Sequence, residues 1–362
     1  VQRQASRPVM ADVARRAGVS LKTVSRVVNG EPNVRPALRD RVLAAVRELG
    51  YRPNAAARAL AARRSRVIGA VTPGTARFGP TSQLFGLERA AWEAGYSVVV
   101  SSTFEATPDE LVRAVRELVE HGVDGIVLAT PVHMAPIEAD GLLQRIPAVS
   151  LDRLPGDLML PTVVPDQRGG ARAATEHLLE LGHRTVWHLS GPMSWHPARE
   201  RADGWRDALE AAGAVVPEPI EGDWTPGTGY AVGRELVARG DVTAVFAAND
   251  QMALGIMRAF YEAGRRIPED FSIVGFDDVP EAEHLFIPLT TVRQDFGATG
   301  RRAVAELLAR LGSNGGPAPV HSVVIPVELV VRASSGPPPH RQATRPEPID
   351  RPQQAMHPQG SR

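Results

Sequence analysis

Three residues stand where a parallel sheet presents groups to a ligand. Asp152 follows the apolar run 148–151, Asn249 follows 244–247, and Asp277 follows 272–275. Ligands of α/β sheets lie outside the carboxyl ends of the strands. Two carboxylates and an amide placed there can bond the polar groups of a ligand. Asp152 and Asn249 are equally suited to capping a helix or bracing a crossover, and at this level both roles stay open. The same residues make a poor catalytic set. Asp277-Asp278 could be read as catalytic or metal groups, but no groups that would orient them can be identified, and His177, His183 and His188 are not at metal-ligand spacing on one predicted helix. No nucleophile elbow, P-loop or Gly-rich dinucleotide fingerprint is present, and with no cysteine there are no disulfides or thiolate metal sites. The expectation is a binding protein with no metal, no cofactor and no enzymatic activity, in a reducing compartment, by default the cytoplasm.

A second chemistry is carried by charge. The 362 residues balance to zero, yet residues 1–66 hold 15 Lys and Arg against 4 Asp and Glu, while the rest hold 26 against 37. A basic head on an acidic body suits a polyanion, because each phosphate neutralised releases condensed counterions. The alternative at this stage is a solvated charged face.

The elements that must position these groups follow from periodicity. Met10, Val13, Ala14 and Ala17 share one face of a short helix ended by Gly18; Ser20 caps a second helix over 21–28; Pro36 opens a third running to Leu49. Two short helices joined by a Gly turn and packed on a third make a helix-turn-helix. From Val67 onward, short apolar runs at 67–71, 97–101, 125–129, 148–151, 185–190, 244–247 and 272–275 alternate with amphipathic helices at 108–121, 169–181, 198–212, 251–263 and 295–311. That alternation means parallel sheets covered by helices on both faces. The boundaries expected are 1–8 as an unstructured start, 9–52 as the helix-turn-helix, 53–66 as an alanine-rich helical linker, 67–333 as the α/β core and 334–362 as a disordered Pro-rich tail. A linker of two helical turns is marginal alone and should order only against something. No stretch reaches membrane-spanning length, and the polar, basic N-terminus has no apolar signal region.

These blocks resemble the lactose repressor family of bacterial regulators over nearly the whole ordered chain. The resemblance is carried by Asp12-Val-Ala-Arg-Arg-Ala-Gly-Val-Ser, Thr23-Val-Ser-Arg-Val-Val-Asn, Leu49-Gly-Tyr-Arg-Pro-Asn, Glu176-His-Leu-Leu-Glu-Leu-Gly-His-Arg, Ala248-Asn-Asp-Gln-Met-Ala-Leu-Gly, Gly275-Phe-Asp-Asp and Pro288-Leu-Thr-Thr-Val-Arg-Gln-Asp. Ala198-Arg-Glu-Arg-Ala-Asp-Gly-Trp and Gly222-Asp-Trp look closest to the member for which the family is named. The resemblance implies a small all-α head, a hinge helix, and a core of two doubly wound lobes like a type I periplasmic binding protein. It also implies a homodimer on a pseudopalindromic operator, a sugar effector for which galactosides are a first guess, and no membrane. The leucine heptads that would make tetramers are missing from the tail.

Carried over residue by residue, the resemblance places Leu21, Lys22 and Arg26 against base edges in the major groove, where Arg26 can fork onto a guanine. Ser20, Thr23, Ser25, Asn29 and Tyr51 correspond to DNA-backbone contacts, although Thr23 and Ser25 could instead bond locally. Asn54 and Ala57 fall near the minor groove, and Leu60 corresponds to an apolar wedge between base pairs. Val9 and Arg35-Pro36 stand where capping hydroxyls are usual, so the first and third helices each forgo roughly 1 kcal/mol. Asp152, Arg201, Trp224, Asn249 and Asp277 are carried into the cleft between the lobes, with Gln294 and Phe296 on its hinge side. The implied mechanism is a repressor released by its sugar. A regulator whose small molecule promotes DNA binding, and a plain sugar-transport protein, are the alternatives; the basic head counts against the second.

Overall fold

The computed structural model describes residues 8–52, 64–105, 107–130, 140–143, 145–153, 160–312 and 321–339. The head is three helices, α1 (Met10–Ala17), α2 (Leu21–Val28) and α3 (Pro36–Leu49). Their apolar faces meet in a small core of Val13, Val24, Val27, Val42, Ala45 and Tyr51. The two unusual helix starts are met in other ways. Asp12, one turn into α1, accepts the Val9 N–H at 3.0 Å, which is half of a capping box. At the other end of α1, Arg41 of α3 donates to the carbonyls of Ala17 and Gly18. Gly18 takes the left-handed conformation (φ 62°) that this helix end requires. Pro36 opens α3 at a position where no N–H is missed.

The core consists of two six-stranded sheets. In chain order its elements are β1 (Val67–Pro73), α4 (Phe78–Glu93), β2 (Ser97–Thr103), α5 (Pro108–Glu120), β3 (Gly125–Leu128), α6 (Asp140–Leu143), β4 (Ala148–Ser150), β5 (Thr162–Pro165), α7 (Gln167–Glu180), β6 (Trp187–Ser190), α8 (His196–Ala211), β7 (Ile220–Glu221), α9 (Pro226–Arg239), β8 (Ala244–Ala247), α10 (Asp250–Glu262), β9 (Ser272–Asp277), β10 (Thr290–Gln294), α11 (Phe296–Gly312), β11 (Ser322–Ile325) and β12 (Val327–Val330). The first sheet runs β11-β5-β4-β3-β1-β2 and is parallel throughout. The second runs β12-β10-β9-β8-β6-β7 and is parallel except where β12 meets β10. Helices on both faces explain why β3, β8 and β9 are buried along their whole length rather than alternately.

The chain passes between lobes three times, at 165–167, 294–296 and 325–327. Consequently α11 packs on the first lobe through Ala303, Val304 and Leu307, while α7 packs on the second through Ala171, Ala174 and Leu178. In the second lobe α9 and α10 approach so closely that a Cβ on Gly255 would lie 2.1 Å from the Pro226 carbonyl, and one on Gly229 the same distance from that of Met252. Only glycine allows this contact.

The structure departs from the sequence reading in places. Helices α4 and α9 are not singled out by periodicity; Gly79-Pro80 breaks the apolar rhythm of one and three glycines dilute that of the other. Strands β5, β7, β10, β11 and β12 are also unannounced: β7, β11 and β12 lie at sheet edges where burial is partial, and in β5 and β10 polar residues and proline interrupt the apolar run. The tail boundary at 334 falls too early. Ser334 is fully buried and bonds Thr290 and Ile273, Ser335 meets His177 at 2.9 Å, and the Gly336 carbonyl accepts from Ser272 and meets His183. Residues 340–362 and the stretch 53–63, with Asn54, Ala57 and Leu60, lie outside the described residues.

Candidate functional sites

On the head, α2 presents Leu21, Lys22 and Arg26 to solvent while Val24 and Val27 turn inward. Lys22 and Arg26 are one turn apart and so share a face. Arg26 pairs with Glu31 at 3.2 Å, and both side chains are nearly half exposed, a weak pairing that a guanine edge or a phosphate could replace. Ser20 caps α2 by accepting the Thr23 N–H at 3.1 Å, and its hydroxyl lies 2.9 Å from that of Thr23. Asn29 donates to Ser25 at 3.3 Å. These four therefore have local partners, yet none is buried. Tyr51 is different: it is 8% exposed and belongs to the head's core, which leaves little of it for the expected contact with the DNA backbone.

Where α3's domain joins the core, Asp124 at the start of β3 gathers the incoming chain. Its carboxylate accepts from the N–H and hydroxyl of Ser65 at 2.7 and 2.8 Å and from the N–H of Arg66 at 2.9 Å. Arg64 donates to the Leu311 carbonyl at the end of α11. Neither clamp was visible in the sequence, since nothing at Asp124 distinguishes it from other surface carboxylates.

Between the lobes lies a cleft. All seven residues expected there line it: Asp152 from the first lobe, Arg201, Trp224, Asn249 and Asp277 from the second, and Gln294 and Phe296 at a hinge crossing. The floor is a closed hydrogen-bonded ring. Arg201 Nε donates to Gln167 at 2.8 Å, Gln167 Nε2 to Gln294 at 2.9 Å, Gln294 Nε2 to Asp277 Oδ1 at 2.7 Å, and Arg201 returns to that same oxygen at 3.3 Å. Arg201 also donates to the Ala248 carbonyl and lies 3.7 Å over the ring of Phe276. Burial pulls the Arg201 guanidinium down, and burial pushes the Asp277 carboxyl up; each partly offsets this for the other. Gln167 was missed by sequence reasoning, although its place at the first hinge crossing, as Gln294's is at the second, was available once the crossings were known.

Asn249 settles on the helix-capping side of the question left open. Its Oδ1 accepts the Met252 N–H at 2.9 Å and its amide donates to the Trp224 carbonyl and to Gln251. It thereby holds Trp224, which sits at φ 71° where non-glycine residues are rare. Asp277 is likewise at φ 105° and Asp278 at φ 51°. Strained backbone gathered around one cleft is a mark of a working site. Two buried polar atoms of the cleft have no hydrogen-bond partner: Asp152 Oδ2 and Trp224 Nε1. An acceptor and a donor left open where ligand would lie are costly unless something bonds them. Burial, with Glu200's charge added, raises Asp152 from 3.8 to about 7. Glu200 itself is bound across the cleft's edge by Arg153 at 2.6 Å.

No group of three or more candidate metal-binding side chains occurs among the described residues, and none of their helices is long and apolar enough to cross a membrane. A helix-turn-helix head on a hinged, two-lobed binding core is the architecture of a ligand-responsive regulator of transcription. Residues 9–54 match the family model for bacterial regulatory proteins of the lacI family, and residues 175–335 match that for a periplasmic binding protein-like domain. The chain belongs to the lacI family of bacterial regulatory proteins. It is 36% identical to the lactose operon repressor of Escherichia coli K12 over 90% of this chain and 89% of that one. It is 34% identical to the ribose operon repressor of the same strain over 83% and 92%. Among solved structures, the lac repressor dimer bound to operator and the anti-inducer ONPF superposes with a TM-score of 0.81 at 34% identity, covering 91% of this chain and 99% of that one.

Proposed function

We propose that this protein is a cytoplasmic homodimeric repressor that binds a pseudopalindromic operator through its head and leaves it when a sugar enters the cleft. The observation that carries this reading is the pairing, in one chain, of a basic recognition helix with a cleft whose open groups suit a polyol. Asp152 Oδ2 accepts from a hydroxyl, Trp224 Nε1 donates to one, and the Arg201–Asp277 pair serves a vicinal diol. Trp224 and Phe296 supply flat apolar faces for the C–H side of a pyranose. The bonding groups of this set hold a ligand by hydrogen bonds and stacking, which supports binding without turnover. Residues 9–52 form the DNA-binding unit, 53–66 the hinge and 67–339 the effector core. Lys22, Arg26 and Leu21 read bases, and Ser20, Thr23, Ser25 and Asn29 fix the register on phosphates.

The hinge enters directly on Asp124 and β1 of the first lobe. A sugar bridging the lobes alters how the two first lobes of a dimer sit, and so whether two hinge segments can meet on DNA. A coupling of roughly 1 to 3 kcal/mol is usual for such linkage. The test is a gel-shift comparison of Arg201→Ala and Asp277→Asn with the wild type. Both variants should shift operator DNA normally and lose release by the sugar that frees the wild type. Release that persists in both would place the effector elsewhere.

A further inference from the structure

The cleft's mouth holds two groups that the floor does not use. Trp195, at the position that opens α8, is half-buried and forms part of the wall, and no side-chain hydrogen bond caps the helix there. Its indole meets that of Trp224 at 5.8 Å between centroids with 62° between planes. Trp224 is committed to the floor: it lies on the backbone of Gly191, where an added Cβ would come within 2.1 Å of its ring. From the opposite lobe, the Arg77 guanidinium stands 5.4 Å above the Trp195 ring. Arg77 is half-buried, and its guanidinium makes no hydrogen bond or ion pair among the described residues; Asp223 is the carboxylate whose charge reaches it. Donors left unmet in a partly desolvated position favour a ligand that brings acceptors.

We propose that Trp195 and Arg77 form a second sugar subsite at the cleft mouth, so that the effector is a disaccharide or longer glycoside rather than a single ring. This rests on the sugar-responsive reading above and adds the ligand's length. One pyranose lays its apolar face on one indole; two indoles turned 62° apart match two rings rotated about a glycosidic bond. An apolar aglycone would cover Trp195 and leave the donors of Arg77 unmet, whereas a second sugar ring stacks on the indole and accepts from the guanidinium. Because Arg77 and Trp195 belong to different lobes, that ring touches both. Relatives named for lactose and for ribose leave the number of rings open.

The test is calorimetric titration of the full chain with lactose, cellobiose, maltose, galactose, glucose and ribose, repeated on Trp195→Ala and Trp195→Phe. One disaccharide should bind at least about tenfold more tightly than its own monosaccharides. Trp195→Ala should weaken that disaccharide at least about tenfold more than it weakens the monosaccharides, and Trp195→Phe should restore most of the difference. Equal affinity for a disaccharide and its constituents, or equal weakening of both by Trp195→Ala, overturns the second subsite while leaving the sugar-responsive reading in place. Binding of none of the six would overturn that reading itself, and the subsite with it.

Discussion

Asp152 carries the clearest consequence at the scale of single residues. Its carboxyl is held at about 7 in the folded protein against an ordinary 3.8, chiefly by burial. The folded state thus prefers the protonated form. That preference stabilises the fold in full below about pH 4 and is lost as pH rises toward 7, a loss of up to about 4 kcal/mol. Asp152→Asn should therefore match the ligand-free wild type in thermal stability near pH 4 and exceed it at pH 8; a difference independent of pH would refute the assignment. On the head, Arg26→Ala should weaken operator binding by roughly 1–3 kcal/mol in an anisotropy titration and relax selectivity at one base pair. Uniform weakening across all operator sequences would make Arg26 a phosphate contact instead. Single residues were only partly legible. Arg201 and Asp277 could be placed in the cleft from their motifs, and Asp152 from its place after an apolar run. The capping role of Asn249 could not be separated from ligation, because both need the same amide at the same strand end.

At the scale of elements, the crossings decide the site. The floor ring joins Gln167 at one crossing to Gln294 at another, so the hydrogen bonds that hold Asp277 and Arg201 also tie the lobes' hinge segments together. Alternation of strands and helices revealed the α/β class, and the buried strands β3, β8 and β9 announced themselves by apolar runs. Edge strands such as β11 and β12 did not, since their partial burial mixes polar and apolar residues. Helix α9 was hidden by the very glycines that let it meet α10. Gly255→Ala should cost roughly 1–3 kcal/mol in urea unfolding through overpacking against the Pro226 carbonyl; an unchanged midpoint would mean that the helices separate freely. Asp124→Ala removes three hydrogen bonds at the half-buried junction of hinge and core and should reduce the sugar's effect on DNA binding. Full retention of that effect would show that the clamp on Ser65 and Arg66 does not transmit it.

For the whole molecule, charge and hinge act together. The basic head supplies affinity that falls steeply with salt, and the acidic two-lobed core supplies the state dependence. Sequence alone showed the division between them, because composition changes at Arg66 along with periodicity. It could not show the cleft's aromatic mouth, whose residues come from Arg77 and Trp195, more than a hundred positions apart on different lobes. The most direct test of the account is fluorescence anisotropy of the purified protein on a palindromic operator from its own upstream region, at fixed salt, with and without saturating sugar. Tight binding that one sugar weakens by about five- to 150-fold, the range of typical allosteric coupling, is the expected result. Operator affinity that no bound sugar alters would contradict the claim that the cleft controls the head.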